Sequence, residues 1–198
     1  MICHKHLTFI HINKTGGTSI ERAFNSKTLH MTMKEHHANG EGDWYTSFRF
    51  SFVRNPWDRM VSWFFWFNRD NVKDGGSESY LKLKSKFNRF IKNIKNSHDV
   101  KLYPDTLENC NKGRWVANQV DWLKDLNENI NIDFIGRYES LQKDFNSLCK
   151  KINKPTVKLS SEKKLKGKPH YSKFYNTDSI KTVERLYKDD IEYFNYEF

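Results

Sequence analysis

A short apolar run that leads straight into a glycine turn and a helix start is the feature that most limits what this chain can fold into. Leu7–Ile12 predicts a buried strand, and Asn13–Gly17 interrupts it with two glycines. The following Thr18-Ser19-Ile20-Glu21 has the form of a capping box, which predicts that a helix begins there. The beginning of the chain therefore predicts a strand, a tight loop and a helix in direct succession.

The same arrangement returns about forty residues later. Phe48–Val53 predicts a second strand, and Asn55 can cap a helix whose first residue is Pro56, where the missing N–H has no cost. We expect that helix to continue through Phe67. Strands that alternate with helices are typical of an α/β domain with a parallel sheet.

Downstream periodicity extends this pattern to the end of the chain. A third strand is predicted over Ile132–Ile135 and a basic loop over Lys163–Lys173. Four further helices are predicted, from Phe87, Phe90, Ile91 and Ile94; from Val116 to Leu123; from Leu141, Phe145, Leu148 and Ile152; and from Ile180, Val183, Tyr187 and Ile191. We expect one domain over residues 1–198, a P-loop-like three-layer sandwich with a central, mainly parallel sheet flanked by helices.

Charge and composition restrict the partners more than the chemistry. The formal net charge of +10 indicates an anionic partner, which a phosphorylated cofactor, an acidic glycan, nucleic acid or an anionic membrane would provide. Most lysines are expected on a solvated face. No apolar run is long enough to span a membrane, and His4, Lys5 and His6 interrupt any signal peptide. Three cysteines without metal spacing predict reduced thiols. From the thiols and from the lack of a spanning run or signal peptide, we expect a cytoplasmic protein without a membrane anchor.

The first loop has the composition of an anion site. Gly16 and Gly17 allow the backbone to approach a ligand, and the N–H groups of the following helix start carry partial positive charge. Thr15, Thr18 and Ser19 add hydroxyl groups, and Lys14 adds a full charge. The triphosphate-binding loop GxxxxGK[ST] places its lysine after the glycines, whereas Lys14 precedes them, so a kinase or NTPase is disfavoured. An ordinary strand–turn–helix corner is the alternative for this segment.

A second polar site follows the second strand. Arg54 leaves the end of that strand, where ligands of open α/β sheets bind, and Ser62 lies two turns into the next helix. A guanidinium and a hydroxyl at these positions can together hold one phosphate. A local ion pair of Arg54 with Asp58, with Ser62 merely packed, is an equally good interpretation of this segment alone.

Taken together, the two segments resemble the paired cofactor loops of sulfotransferases, especially the carbohydrate group related to heparan and chondroitin O-sulfotransferases. The family reads P-K-T-G-G-T-S in the first loop, and this chain has Asn13 in place of the proline. The family's second element, F-V-R-N-P-x-x-R-x-x-S, matches from Phe52 through Ser62. Residues 134–141, 170–175 and 190–198 continue the resemblance, which is weakest over residues 71–113.

The resemblance implies a donor and a reaction. The donor is 3′-phosphoadenosine 5′-phosphosulfate, or PAPS, the product is adenosine 3′,5′-bisphosphate, and no metal is needed. Residues Lys14 to Ser19 would hold the 5′-phosphosulfate, with Lys14 neutralising the bridging oxygen, and Arg54 and Ser62 would hold the 3′-phosphate. Lys166 and Gly167 are further candidates, in a segment that would close over the adenosine or the 3′-phosphate, with a solvated basic loop as an equal alternative. The acceptor would be a hydroxyl group, for which a glycan or glycoconjugate is preferred over nucleic acid.

The family also places a histidine between the two cofactor segments as the general base. His37 is preferred here because a small residue follows it, His36 is second and His30 third. Glu35 is an alternative, as the base itself or as a group that orients the histidine. Gln119 and Trp122 are candidates for the acceptor cleft, although a core position is expected for Trp122.

Two other classes of function stay open at this point. A nucleoside or nucleotide kinase would need a magnesium-binding acid and a lysine at the standard position. A non-catalytic basic module would bind an acidic glycan or nucleic acid in a salt-sensitive manner without any cofactor.

Overall fold

The computed structural model describes residues 6–39, 46–68, 80–94, 117–160 and 169–198. The chain divides into two compact units. Met1–Arg54 and Gln119–Lys166 form the first, which we call the sheet unit, and Asn55–Asn118 and Gly167–Phe198 form the second, the helical unit. The expectation of a single domain over residues 1–198 stays a prediction.

The strands and helices follow the predicted alternation. In chain order the described elements are β1 Leu7–Ile10, α1 Gly17–Ala23, α2 Met33–Ala38, β2 Phe48–Val53, α3 Pro56–Phe67, α4 Tyr80–Asn93, α5 Gln119–Leu123, β3 Phe134–Arg137, α6 Leu141–Lys151, α7 Thr177–Leu186 and α8 Lys188–Phe194, with short 3₁₀ turns over Tyr138–Ser140 and Tyr171–Phe174. The bounds of β2 and α3 agree with the sequence prediction, and α2 is an element that the prediction did not contain.

The sheet unit is built on three parallel strands in the order β1-β2-β3. Leu7 pairs with Phe48, and Phe50 pairs in turn with Phe134. The third strand thus begins two residues later than predicted. Gly136 stands inside it because a Cβ at this position would lie 2.3 Å from Cε1 of Phe52. The predicted α/β class, with a central, mainly parallel sheet flanked by helices, is confirmed.

Aromatic and aliphatic side chains from β1, β2, α1 and α6 form the core of the sheet unit. The rings of Phe9 and Phe50 are stacked with centroids 4.9 Å apart. Ile20 of α1 and Phe145 and Leu148 of α6 are fully buried against them. Burial of one such side chain is worth about 1.5–3 kcal/mol, so this core fixes α1 and the loop before it on the sheet.

The helical unit begins at the predicted cap. Asn55 Oδ1 accepts a hydrogen bond from the N–H of Trp57 at 3.0 Å, and Pro56 occupies the first helical position. Within this unit Tyr175 Oη donates to the carbonyl of Trp57 at 2.9 Å, and the rings of Tyr175 and Phe87 lie 4.8 Å apart. The predicted apolar face agrees with the structure: Phe87 and Ile91 of α4 and Ile94 just after it are buried, and Phe90 is half-buried.

Two predicted helix boundaries are wrong. The last predicted helix is two helices, since the backbone of Tyr187, at φ −116° and ψ 30°, ends α7 and precedes α8. The first helix starts after Gly16 without any side-chain cap, so the predicted capping box of Thr18 and Glu21 is absent. Glu21 contacts Thr28 instead. A capping box does start α2, between Thr32 and Glu35.

Candidate active site

The carboxyl ends of the three parallel strands bring three polar side chains to one edge of the sheet. His11 follows β1, Arg54 follows β2 and Tyr138 follows β3. The guanidinium carbon of Arg54 lies 3.8 Å from the centre of the Tyr138 ring, and Arg54 Nη1 donates to the carbonyl oxygen of Lys14 at 3.0 Å. The predicted first loop and the arginine of the second segment are therefore in direct contact.

The first loop is held in a conformation that side chains rarely adopt. Lys14 has φ 66° and Gly16 has φ 90°, both in the left-handed region. A Cβ on Gly16 would also lie 2.9 Å from Cδ2 of Leu141, so only glycine fits there. Thr15 is fully buried and its hydroxyl donates to the carbonyl of Ile12 at 2.8 Å. The bond from Arg54 to Lys14 thus supports a turn that costs about 1–3 kcal/mol at a residue other than glycine.

The helix start carries the rest of the predicted phosphate cradle. Gly17 opens α1, and Thr18 and Ser19 stand half-buried in its first turn. Ser19 Oγ donates to the carbonyl of Ser160 at 2.6 Å. The predicted hydroxyl donors Thr15 and Ser19 both direct their protons to backbone carbonyls of the protein. Backbone N–H groups and the charge of Lys14 are consequently better suited to an anion at this loop than the hydroxyls of Thr15 and Ser19.

Arg54 is buried and fixed from two sides. Its backbone N–H donates to Oε1 of Gln119 and its carbonyl accepts from Nε2 of Gln119, both at 2.8 Å. Gln119 is fully buried, so it braces Arg54 from the interior of the sheet unit and does not line a cleft, contrary to the expectation. Trp122 is buried, as expected for a core residue.

The remaining predicted cofactor residues lie elsewhere. Ser62 is half-buried in α3 of the helical unit, and its pairing with Arg54 around a phosphate stays a prediction. Lys166 and Gly167 lie outside the described residues.

The predicted histidine pair lies on the short helix α2. His36 is buried, and burial lowers its pKa from 6.5 to about 4. His37 is half-buried in the last turn of the same helix. Glu35, the alternative base, uses its carboxylate for the helix cap, since Oε2 accepts from the backbone N–H of Thr32 at 2.8 Å and from its hydroxyl at 3.0 Å.

His30, the third of the predicted bases, lies beside the first loop. Its Nδ1 is 2.9 Å from the carbonyl oxygen of His11, and the two imidazole rings are 4.1 Å apart. Burial, together with the charge of His11, lowers the pKa of His30 from 6.5 to about 4. The ring is therefore neutral at physiological pH, with one nitrogen directed at the strand end that begins the loop.

A polar cluster around His11 has no counterpart in the sequence prediction. His11 Nδ1 lies 2.8 Å from Oγ1 of Thr28 and 3.3 Å from Oε1 of Glu21. Burial by itself would raise the pKa of Glu21, but hydrogen bonds from His11 and Thr28 lower it to about 2. In the sequence, the position of His11 directly after an apolar strand is the one feature that could have indicated this cluster. No regular spacing connects His11 with Glu21 or Thr28.

The described part of the chain contains neither a group of metal-ligating side chains nor a membrane-spanning helix. In residues 6–39, 46–68, 80–94, 117–160 and 169–198 no three His, Cys, Asp or Glu side chains are grouped as metal ligands would be. Within the same ranges, no helix combines the length and the apolar character that crossing a membrane requires.

Comparison with known proteins identified one family. A family model described as the sulfotransferase family matches residues 1–197, nearly the whole chain. The comparison with curated proteins found no match.

Proposed function

The chain belongs to the sulfotransferase family, and from that premise we propose that it transfers the sulfuryl group of PAPS to a hydroxyl group, most suitably of a carbohydrate. Membership of the family makes the protein a transferase that acts on sulfuryl groups. The identity of the donor, the acceptor class and the residue roles are the parts that we propose. One observation carries the proposal: the bond of Arg54 Nη1 to the carbonyl of Lys14, which joins the two segments that the family uses for its donor.

The residues at the sheet edge fit a doubly phosphorylated donor. Lys14, the backbone N–H groups of residues 15–19 and the start of α1 present positive charge in one loop. A guanidinium has five N–H donors, so Arg54 can serve the carbonyl of Lys14 and a phosphate at the same time. We assign the 5′ end of the donor to the loop, and the 3′-phosphate to Arg54 with Ser62.

The transfer itself needs positioning and charge stabilisation, as phosphoryl transfer does. The acceptor oxygen forms the new S–O bond while the bond from sulfur to the bridging oxygen breaks, and the electron pair stays on the departing phosphate oxygen. Lys14 neutralises that developing charge. The proton of the acceptor hydroxyl moves to a histidine nitrogen, so charge is balanced on both sides of the reaction.

For the base, the contacts favour His30 over His37. A carbonyl oxygen only accepts, so Nδ1 of His30 carries the proton that it shares with His11. In the neutral ring the lone pair is then on Nε2, which is the atom that takes the acceptor's proton. His37 has the sequence argument in its favour, and the two assignments are separated by experiment below.

The experiment that tests the proposal is a thermal-shift titration. We expect adenosine 3′,5′-bisphosphate to raise the melting temperature, because a ligand that binds only the folded state stabilises it, and ATP with magnesium to do much less. Lys14→Ala should abolish most of the shift and lower turnover with PAPS by roughly two to three orders of magnitude. Lys27→Ala, at an exposed residue outside the loop, is the matched control.

Two outcomes would replace the proposal. Stronger protection by ATP than by the bisphosphate would favour a kinase. Salt-sensitive binding of an acidic glycan or nucleic acid, without response to the bisphosphate, would favour a non-catalytic module. A mass-spectrometric screen of hydroxyl acceptors with PAPS then identifies the acceptor.

A second prediction distinguishes the roles of Arg54 and Ser62. Ser62→Ala should weaken binding of the bisphosphate by roughly 3- to 10-fold, the worth of one hydrogen bond, and leave adenosine 5′-phosphosulfate unaffected because it lacks the 3′-phosphate. Arg54→Ala should weaken both ligands, since Arg54 also holds the carbonyl of Lys14. Calorimetric titration of both ligands measures this. Equal losses for both ligands in Ser62→Ala would remove Ser62 from the 3′-phosphate site.

A further inference from the structure

Building on the proposed sulfuryl transfer, we propose that Glu21 acts through His11 as a positioning residue that orients His30 as the base and ties it to the donor loop. The four residues involved, His11, Glu21, Thr28 and His30, are called the His11 cluster below. They come from the end of β1, from α1 and from the segment after α1.

The positions of the protons in the His11 cluster follow from the hydrogen bonds. The backbone N–H and the hydroxyl of Thr28 both donate to Oε1 of Glu21, each at 2.7 Å. The hydroxyl proton of Thr28 is thus in use, and its oxygen can only accept from His11 Nδ1, 2.8 Å away. His11 therefore carries a proton on Nδ1, directed at Thr28 and at the carboxylate of Glu21 at 3.3 Å.

Packing leaves the ring of His11 little freedom. Phe9 stacks on it with centroids 5.1 Å apart, and His30 lies on it at 4.1 Å. A Cβ on Gly17 would lie 2.1 Å from Nε2 of His11, so the ring lies directly against the start of α1. Because protein interiors transmit displacement through such contacts, a shift of this ring moves either the helix start or His30.

The backbone of His11 sets the tautomer of the proposed base. Its carbonyl accepts from Nδ1 of His30 at 2.9 Å, which leaves the lone pair of the neutral ring on Nε2. The same residue begins the loop that contains Lys14, three positions further along the chain. The residue whose carbonyl accepts from the proposed base is therefore also the residue at which the Lys14 loop begins.

Glu21 is the charged end of this arrangement. Hydrogen bonds from His11 and Thr28 lower its pKa to about 2 against the opposing effect of burial, so the carboxylate is ionised at neutral pH. An ionised carboxylate beneath a histidine orients that histidine and stabilises its Nδ1–H form, as in other catalytic sites where carboxylates orient histidines. Here that effect reaches the base through one intervening residue.

A double-mutant cycle tests the proposal. Glu21→Leu removes both the charge and the acceptor, and should lower turnover roughly 10- to 100-fold, the range for groups that orient a functional histidine. In a His30→Ala background the same substitution should change turnover by no more than about twofold, since its effect passes through the missing ring. The affinity for adenosine 3′,5′-bisphosphate should stay within about twofold of wild type in Glu21→Leu.

Two further variants separate positioning from folding. Glu21→Gln keeps an acceptor oxygen for Thr28 and His11 but removes the charge, so its turnover should lie between that of Glu21→Leu and that of wild type. Thr8→Val is the control for a general loss of packing. It removes the buried hydrogen bond of 3.0 Å from Thr8, on β1, to Ser47, and should leave turnover unchanged. Nitrogen chemical shifts of the imidazole rings in the wild-type protein give a measurement without any variant, and should show His30 protonated on Nδ1 at neutral pH.

Several results would overturn the inference. Additive losses in the cycle, a matching loss of bisphosphate affinity in Glu21→Leu, or His30 protonated on Nε2 would each show that the His11 cluster is only structural. Full turnover of His30→Ala would do the same while sulfuryl transfer itself stands. Failure of the wild-type protein to bind the bisphosphate or to turn over PAPS would reject the proposed function instead.

Discussion

His30 and His36 have the same lowered pKa of about 4, but they reach it in different surroundings. Burial alone accounts for the pKa of His36, whose side chain is only 4% exposed within α2. At His30, burial acts together with the charge of His11, and a carbonyl fixes one ring nitrogen. A lowered pKa alone therefore does not distinguish the two histidines, whereas the contacts around each ring do.

The two histidines also depend on different kinds of structure. Helix α2 is defined locally, by a capping box in which Thr32 and Glu35 lie three residues apart. The surroundings of His30 depend on residues 11, 21 and 28, which lie on three different segments. Local helices are common in any fold, whereas a cluster assembled from separated segments at a strand end is typical of a functional site.

The largest expected difference between the two regions is in turnover. His30→Ala should lower turnover by roughly two to four orders of magnitude, the range for a positioned acid–base group, with little change in bisphosphate affinity. His36→Ala and His37→Ala should each be much milder. Steady-state rates with PAPS and one accepted hydroxyl substrate measure all three variants.

The sequence argument for His37 supplies the contrary outcome. Loss of turnover in His37→Ala, together with full turnover in His30→Ala, would show that the base is on α2. Full activity in all three variants would remove a histidine base from the mechanism, and Glu35 would then be tested by Glu35→Gln.

In the pH dependence of stability, by contrast, His30 and His36 should behave alike. Both pKa values are about 4 in the folded protein and 6.5 in the unfolded chain, so their stabilising effect is complete above pH 6.5 and is lost as the pH falls to 4. The shift corresponds to about 3 kcal/mol for each histidine. His36→Phe and His30→Phe should each reduce this acid loss by a similar amount, measured by urea unfolding from pH 7 to pH 4.

A different outcome for His36→Phe would change the interpretation of its burial. If His36→Phe left the acid loss unchanged, His36 would accept a proton in the folded protein as easily as in the unfolded chain. Burial would then not lower the pKa of His36.

The smallest expected effect tests whether α2 is only a structural helix. Thr32→Ala removes the hydroxyl of the capping box and should lower the free energy of unfolding by about 1 kcal/mol. Turnover per folded molecule should not change. Thr32→Ser, which keeps the hydroxyl, is the matched control, and a loss of turnover in Thr32→Ala alone would connect α2 with catalysis.

Elements whose signals involve neighbouring residues could be predicted from the amino-acid sequence. Alternating apolar runs, the Asn55 cap with Pro56 and the apolar face of α4 each involve neighbouring residues, and the structure agrees with them. The phosphate loop was recognised for the same reason, because its glycines, lysine and hydroxyls are contiguous. The failed capping box at Thr18 and Glu21 shows the limit of local signals, since Glu21 found a better partner in Thr28.

Which side chains meet at the sheet edge depends on the pairing of strands that are far apart in the sequence. Parallel strands joined by crossovers bring residues 11, 54 and 138 together across more than a hundred positions, and no periodicity encodes that distance. The stacking of Arg54 on Tyr138 follows from this pairing, whereas the contact of His30 with His11 depends on how the segment after α1 packs on the end of β1. Hydrogen bonds and ring contacts depend on positions in space, so the preference among His30, His36 and His37 could be argued from contacts only once the positions of residues 11, 21, 28 and 30 were known.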